Sequence, residues 1–253
     1  MNANLSTNMY IGTSGWNYKN WKNDFYNGVK QKEWLEHYSN IFKAVEVNAT
    51  FYRLLKHDTL QSWYNRTPQE FAFAVKGSRY LTHIKRLKEP LEGIQKQKEN
   101  LAPLSHKLKV VLWQLPGSLQ NDLQKLENFA KALSSWTEVR HAIEFRHPSW
   151  FDNQTASLLS SFNMSCCISD AGDWPLWDIV TTDLVYIRLH GSPSTYISDY
   201  SQEELQSWAA ILLEWIKKEH EIHIYFDNTD QGQAPKNAQQ LQKMLHSEPS
   251  PFP

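Results

Sequence analysis

Short apolar stretches bounded by turn residues recur along the chain, and eight of them read as strands: residues 9–14, 44–48, 71–76, 108–114, 139–146, 164–169, 184–190 and 222–227. Between several of them the apolar spacing changes from two to that of a helix. Trp34, Leu35, Tyr38, Ile41 and Phe42 form one stripe, and Leu119, Leu123, Leu126, Phe129, Ala130 and Leu133 a second. Leu205, Trp208, Leu212 and Ile216 make a third, with Ser201 and Glu204 ahead of it at capping-box spacing. Ala234, Ala238, Leu241 and Leu245 give the last helix, with Pro235 near its start. Strand followed by helix, repeated, means parallel strands with crossovers. Eight such units predict an α/β fold, a (β/α)8 TIM barrel, with an open doubly wound sheet as the alternative. The stretch 170–183, with Gly172, Pro175 and two tryptophans, predicts a sixth helix reduced or replaced by a loop. One domain over 1–245 is expected, followed by a proline- and serine-rich tail at 246–253.

The polar residues keep a phase within these strands. In a barrel the outer face lies under helices and the inner face fills the interior. With Val45 and Val47 outward, Glu46 and Asn48 point in; with Phe71, Phe73 and Val75 outward, Ala72, Ala74 and Lys76 point in. The same alternation sends Ala142, Glu144 and Arg146 inward from strand five and Tyr186, Arg188 and His190 inward from strand seven. His223, Tyr225 and Asp227 follow in strand eight, and Gln114 closes strand four. Strand six is ambiguous, because Asp170 falls in phase with Cys166 and Ile168. Polar side chains therefore gather at the C-terminal strand ends, where barrels carry their chemistry. An interior Glu–Arg pair on its own would more often be a packing device. Recurrence in one phase on five strands favours a functional site.

Composition narrows the partners. Hydrophobic residues are 41% of the 253, charged residues 21%, and the net charge is −1, so no global field favours nucleic acid or an anionic membrane. No apolar run approaches the ~20 residues of a membrane span, and residues 1–8 lack the layout of a secretory leader. Cys166 and Cys167, adjacent in an apolar run, fit unpaired thiols in a reducing compartment, and a cytoplasmic protein is expected.

The inventory at the strand ends interleaves three cations (Lys76, Arg146, Arg188) with three acids (Glu46, Glu144, Asp227) and the imidazole of His190. Arginines suit a bidentate grip on phosphate or carboxylate, and a carboxylate kept ionised among cations is a general-base candidate. His190 is the matching acid. Lys76 could stabilise developing negative charge or form a Schiff base, although a paired structural lysine is the blander reading. No cofactor is expected. Glu46, Glu144, Asp227 and His190 leave a divalent metal open as an alternative, opposed by the interleaved guanidinium groups. Around the rim, Trp16, Tyr18, Asn48, Tyr52, His83, Gln114, Trp150, Gly191, Asp227 and Asn228 are candidate substrate-binding residues, with Trp174 and Trp177 adding further aromatic surface suited to sugar rings or nucleobases. For any single tryptophan, loop packing is the commoner role. The basic run 77–88 and the G-S-P and D-Q-G-Q-A turns after His190 and Asn228 are weak phosphate signals.

Taken together, several motifs carry a resemblance. They are G-T-S-G-W-x-Y-x-x-W from Gly12, V-E-V-N-x-T-F-Y from Val45, F-x-F-A-V-K from Phe71, and Thr82-His83. Further on come Q-L-P from Gln114, E-F-R-H-x-S-W from Glu144, Y-x-R-L-H-G from Tyr186, and Y-F-D-N-T from Tyr225 with G-x-A-x-x-N-A after it. The chain resembles, over nearly its whole length, the YecE-like domain-of-unknown-function family of bacteria and archaea. That resemblance implies a TIM barrel and attaches no reaction to it. Where the family commonly carries two asparagines, this chain has Asp227-Asn228.

The residues then support three readings. The first is an enzyme, a hydrolase, isomerase or lyase, acting on a small anionic or phosphorylated molecule that is sugar-like or nucleotide-like. In it Arg146 and Arg188 hold the anion, Glu144 or Glu46 is the base and His190 the acid. The second is a nucleic-acid-binding or repair barrel using Arg79, Lys85, Arg86 and Lys88 on phosphates, which the near-neutral charge disfavours. The third is a barrel that binds a metabolite without chemistry.

Overall fold

The computed structural model describes residues 8–172 and 174–247. Eight parallel strands alternate with helices around one barrel: β1 (Met9–Thr13), β2 (Ala44–Val47), β3 (Ala72–Lys76), β4 (Leu108–Gln114), β5 (Arg140–Glu144), β6 (Met164–Asp170), β7 (Leu184–Leu189) and β8 (Glu221–Phe226). The helices are α1 (Trp34–Ile41), α2 (Ala49–Tyr52), α3 (His57–Asn65), α4 (Leu91–Leu101), α5 (Leu123–Leu133), α6 (Asn153–Ser161), α7 (Gln202–Lys217) and α8 (Gln233–Ser247). As expected, the segment between β6 and β7 forms no helix among its described residues. The expected domain end at 245 falls inside α8, so His246 belongs to that helix; residues 248–253 of the expected tail lie outside the described residues, as do residues 1–7 of the expected leaderless start.

The helix signals have local causes. Ser201 and Glu204 close a reciprocal capping box on α7, with Ser201 N–H donating to the Glu204 carboxylate at 2.8 Å and Glu204 N–H to Ser201 Oγ at 3.2 Å. Asp122 and Asp152 cap α5 and α6 by accepting from Lys125 and Thr155 N–H at 3.1 and 2.7 Å. The stripes on α1, α5, α7 and α8 face the sheet, with Tyr38, Phe129, Leu205, Leu212 and Leu241 buried.

Inside the barrel a second, smaller core holds Ala44, Ala72, Ala74, Val110, Leu112, Ala142, Cys167, Leu184, Tyr186 and Tyr225. Small residues on β2, β3 and β5 make room for the two buried tyrosines from β7 and β8. This also resolves β6. Cys167 points in, Cys166 and Ile168 pack in the outer core, and Ser169 shares the inward phase that Asp170 leaves.

Closure depends on a side chain. Between β1 and β2 the backbone ladder shrinks to the bridge Ser14–Glu46, with Gly15 N–H donating to Glu46 C=O at 2.7 Å. Below it the hydroxyl of Tyr38 from α1 enters the seam, accepting from Thr13 N–H at 2.8 Å and donating to Ala44 C=O at 3.0 Å. Gly12 permits this approach, since a Cβ there would collide with the Ala44 carbonyl.

Candidate active site at the barrel mouth

The in-phase polar residues converge. Arg188, from β7, lies at the centre with its side chain 1% exposed. Its Nε and Nη2 make a bidentate pair with Glu46 at 2.9 and 2.8 Å, Nη1 donates to Glu144 at 3.0 Å, and Nη2 also reaches Asp227 at 2.9 Å. Each carboxylate has further donors. Ser14 Oγ and Tyr186 Oη donate to Glu46 at 2.5 and 2.7 Å, while Ser169 Oγ donates to Glu144 at 2.8 Å. Arg146 pairs with Glu144 at 2.5 Å. His190 sits between Glu144 (Nε2 to Oε1, 3.5 Å) and Asp227 (Nδ1 to Oδ2, 2.9 Å), although Nδ1 is not aligned for a good hydrogen bond.

Charge explains why this burial is tolerated. Three carboxylates and three cations balance formally, and an unpaired buried charge would cost several kcal/mol. Burial pushes the Glu144 carboxyl up, but Arg146, Arg188 and His190 outweigh that and hold it well below the usual carboxylate range. Asp227 likewise is raised by burial and then brought down to about 2 by Arg188, His190 and Lys76. Arg188 itself is pushed down by burial and, on balance, well up by its three carboxylates.

Lys76 differs from both arginines. Its Nζ lies over the Phe51 ring, 4.5 Å from the centroid, and among the described residues no carboxylate pairs with it. Burial and the Arg188 charge lower its pKa to about 8, against the opposing pull of Glu144, Glu46 and Asp227. His83 packs edge-on to Phe51, and burial with the charges of Lys76, Arg79 and Arg146 lowers its pKa. Over the mouth, Trp174 from the β6–β7 loop stacks on the Arg146 guanidinium at 3.3 Å and meets His190 edge-on at 4.6 Å, with Tyr196 beside both.

Not every expected residue lies at this mouth. Arg188 was expected to grip an anion, but its hydrogen-bonding edges are occupied by carboxylates and it is buried. Trp150 is in the core, stacked on Phe145 with its indole donating to Leu119 C=O at 2.8 Å, so it anchors the β5 loop and does not face a ligand. Asn228 is buried and ties the β8 loop to Ser198 C=O and Asn237. Gly191 takes a left-handed turn at φ 96° with its N–H on Tyr200 Oη. Gln114 is half-buried and donates to Leu115 C=O. Tyr52 is exposed on the rim, while Trp16 packs against Trp63 to the side, with Tyr18 donating to Ser14 C=O at 2.5 Å. Asn48 donates to Ser14 Oγ at 2.6 Å. Of the four cations suited to nucleic acid, Lys85 pairs with Glu89 and Arg86 bonds Ser118.

Tyr186, read as inward on strand seven, and Trp174, read as rim aromatic surface, join the constellation by holding Glu46 and covering Arg146. Ser14 and Ser169, which hold Glu46 and Glu144, are the additions beyond the expected residues, and Ser14 is in the inward phase, so alternation alone would have found it. Among the described residues no group of three or more His, Cys, Asp or Glu is arranged to hold a metal ion. A guanidinium occupies the centre of the carboxylates instead. Nor is any described helix long and apolar enough to cross a membrane.

A family model described as "Protein of unknown function DUF72" matches residues 10–252. UPF0759 protein YunF of Bacillus subtilis is 25% identical over 271 aligned positions, covering 95% of this chain and 95% of that protein. UPF0759 protein YecE of Escherichia coli is 27% identical over 144 positions, 56% of this chain and 50% of YecE. A solved DUF72-family structure from Thermotoga maritima superposes with a TM-score of 0.84 at 30% identity, covering 94% of this chain and 99% of that one. The resemblance read from the motifs is thus met, and the chain belongs to the DUF72 family of TIM barrels.

Proposed function

We propose that the barrel mouth is the active site of an enzyme that moves protons on a small anionic molecule, in a hydrolysis, isomerisation or lysis. The observation that carries this reading is the contrast between Arg188 and Lys76. Three carboxylates hold Arg188, whereas Lys76 stands on the same rim without one and has a pKa of about 8. A lysine in that state takes and returns protons near neutrality, or attacks a carbonyl as the free amine. Functional sites are where such a shift, costly to the fold, is retained.

Arg146 is the second working group. One edge pairs with Glu144, its face lies on Trp174, and its buried Nε has no partner, so a substrate carboxylate or phosphate would complete it. Glu144 and Asp227, held ionised at low pKa, are weak bases. Their part is to fix Arg146, Arg188 and His190. His190 is buried beneath Trp174 and Tyr196, with Glu144 and Asp227 on either side of its ring.

Turnover of a panel of sugar phosphates and short hydroxy and keto acids, followed by proton NMR, tests the assignment. Lys76→Met should lower kcat by about 100-fold or more for any substrate found, the usual range for losing a general acid–base. Arg146→Ala should raise KM about tenfold or more, the loss of one charged hydrogen bond. Unchanged turnover in Lys76→Met refutes the role of Lys76.

A further inference from the structure

A cavity of about 650 Å³ opens beside the charged cluster, between the loop after β1 and the segment from the end of β2 into α3. It has the volume of a small-molecule site. One wall is aromatic: Trp16 and Trp63, both half-buried, meet edge to face with centroids 4.9 Å apart. Val47 and Leu55 add buried apolar surface. Arg53 and Lys56 stand exposed at its edge, and among the described residues neither forms an ion pair. Asn48 also lines it, and its amide oxygen is buried without a hydrogen-bond partner. A buried acceptor left open beside a cavity is a group awaiting a donor.

The cavity wall is hydrogen-bonded to the charged cluster: Asn48, which lines the cavity, donates through Nδ2 to Ser14 Oγ, which donates to Glu46. We infer that this cavity is a specificity subsite for a flat ring that bears an anionic group and an N–H or O–H donor. The ring would lie on the Trp16–Trp63 wall, the donor would reach Asn48 Oδ1, and the anion would sit between Arg53 and Lys56. The inference rests on the proposed active site only in making this ring a part of that site's substrate. Binding in the cavity itself does not require Lys76.

Adenosine monophosphate has all three features, and calorimetric titration against adenosine, ribose 5-phosphate and inorganic phosphate separates them. Adenosine monophosphate should bind at least tenfold more tightly than any of the other three. Arg53→Ala/Lys56→Ala, changes at exposed positions, should weaken it at least tenfold and leave adenosine unchanged, and Asn48→Ala should weaken both. Lys76→Met should bind it as the unaltered protein does. Equal binding of ribose 5-phosphate, an unchanged affinity in the double variant, or no binding overturns the inference, whatever becomes of Lys76. Conversely, cavity binding with turnover unaffected by Lys76→Met overturns only the proposed active site.

Discussion

Replacing Lys76 by Met should stabilise the protein at neutral pH, the opposite direction to its expected effect on turnover. A lysine of ordinary pKa 10.5 that is brought to about 8 in the fold carries a shift of about 2.5. At 1.36 kcal/mol per pKa unit this is about 3 kcal/mol by which the charged form opposes folding. The sign follows from proton counting. Between pH 8 and 10.5 the unfolded chain holds the proton and the folded chain has released it, so stability rises with pH across that window. Below pH 8 both states are protonated and the full penalty applies; above 10.5 neither is, and the penalty is gone. Methionine keeps the apolar stem of Lys76 and loses only the cation over Phe51, an interaction of about 0.5–1 kcal/mol. A net gain of about 2–3 kcal/mol at pH 7 remains. Urea denaturation of both proteins from pH 7 to 10.5 measures it, because every other titrating group is common to the pair. The expected stability difference is largest at pH 7 and closes towards 10.5. A difference that does not vary with pH, or a variant less stable at pH 7, refutes the reasoning.

Arg188→Met removes the shared cation from Glu46, Glu144 and Asp227 and should cost about 3–5 kcal/mol, the loss typical of breaking a buried ion pair. Glu144 and Asp227, still buried but without that cation, would then titrate higher than in the unaltered protein. The variant's deficit should therefore be smaller at pH 4 than at pH 8, and an equal deficit at both speaks against charge as its cause. Tyr38→Phe leaves Thr13 N–H and Ala44 C=O without their partner at the β1–β2 seam and should cost about 2–4 kcal/mol in chemical denaturation. A loss under about 0.5 kcal/mol would mean that the hydroxyl is not what closes the barrel.

How much of this is legible in the chain follows from what alternation encodes. Val45-Glu46-Val47 and Ile187-Arg188-Leu189 state their facing without ambiguity, because an apolar outer face under helices leaves only one phase for the charge. Met164 to Asp170 does not, since Cys166, Cys167 and Ile168 are consecutive apolar residues; the pattern leaves the phase open, and the fold turns Cys167 and Ser169 inward. Helices with a long stripe, such as α5, announce themselves. By contrast α3 buries only Leu60, and α4 buries Gln97 between Ile94 and Leu101, a spacing too thin to stand out.

The limit reached at the site is of another kind. Phase brings ionisable groups to one opening, but which of them neutralise each other depends on their position around the barrel, which alternation along a strand does not encode. Arg146 and Arg188 look equivalent as inward arginines at strand ends. Two strands of offset around the barrel put one among three carboxylates and leave the other half-committed, under a tryptophan from a loop without periodicity. Lys76 is decided by the same accounting from the other side. With Glu46, Glu144 and Asp227 turned to Arg188, no carboxylate pairs directly with it among the described residues, and on the proposed reading a ligand would supply that partner.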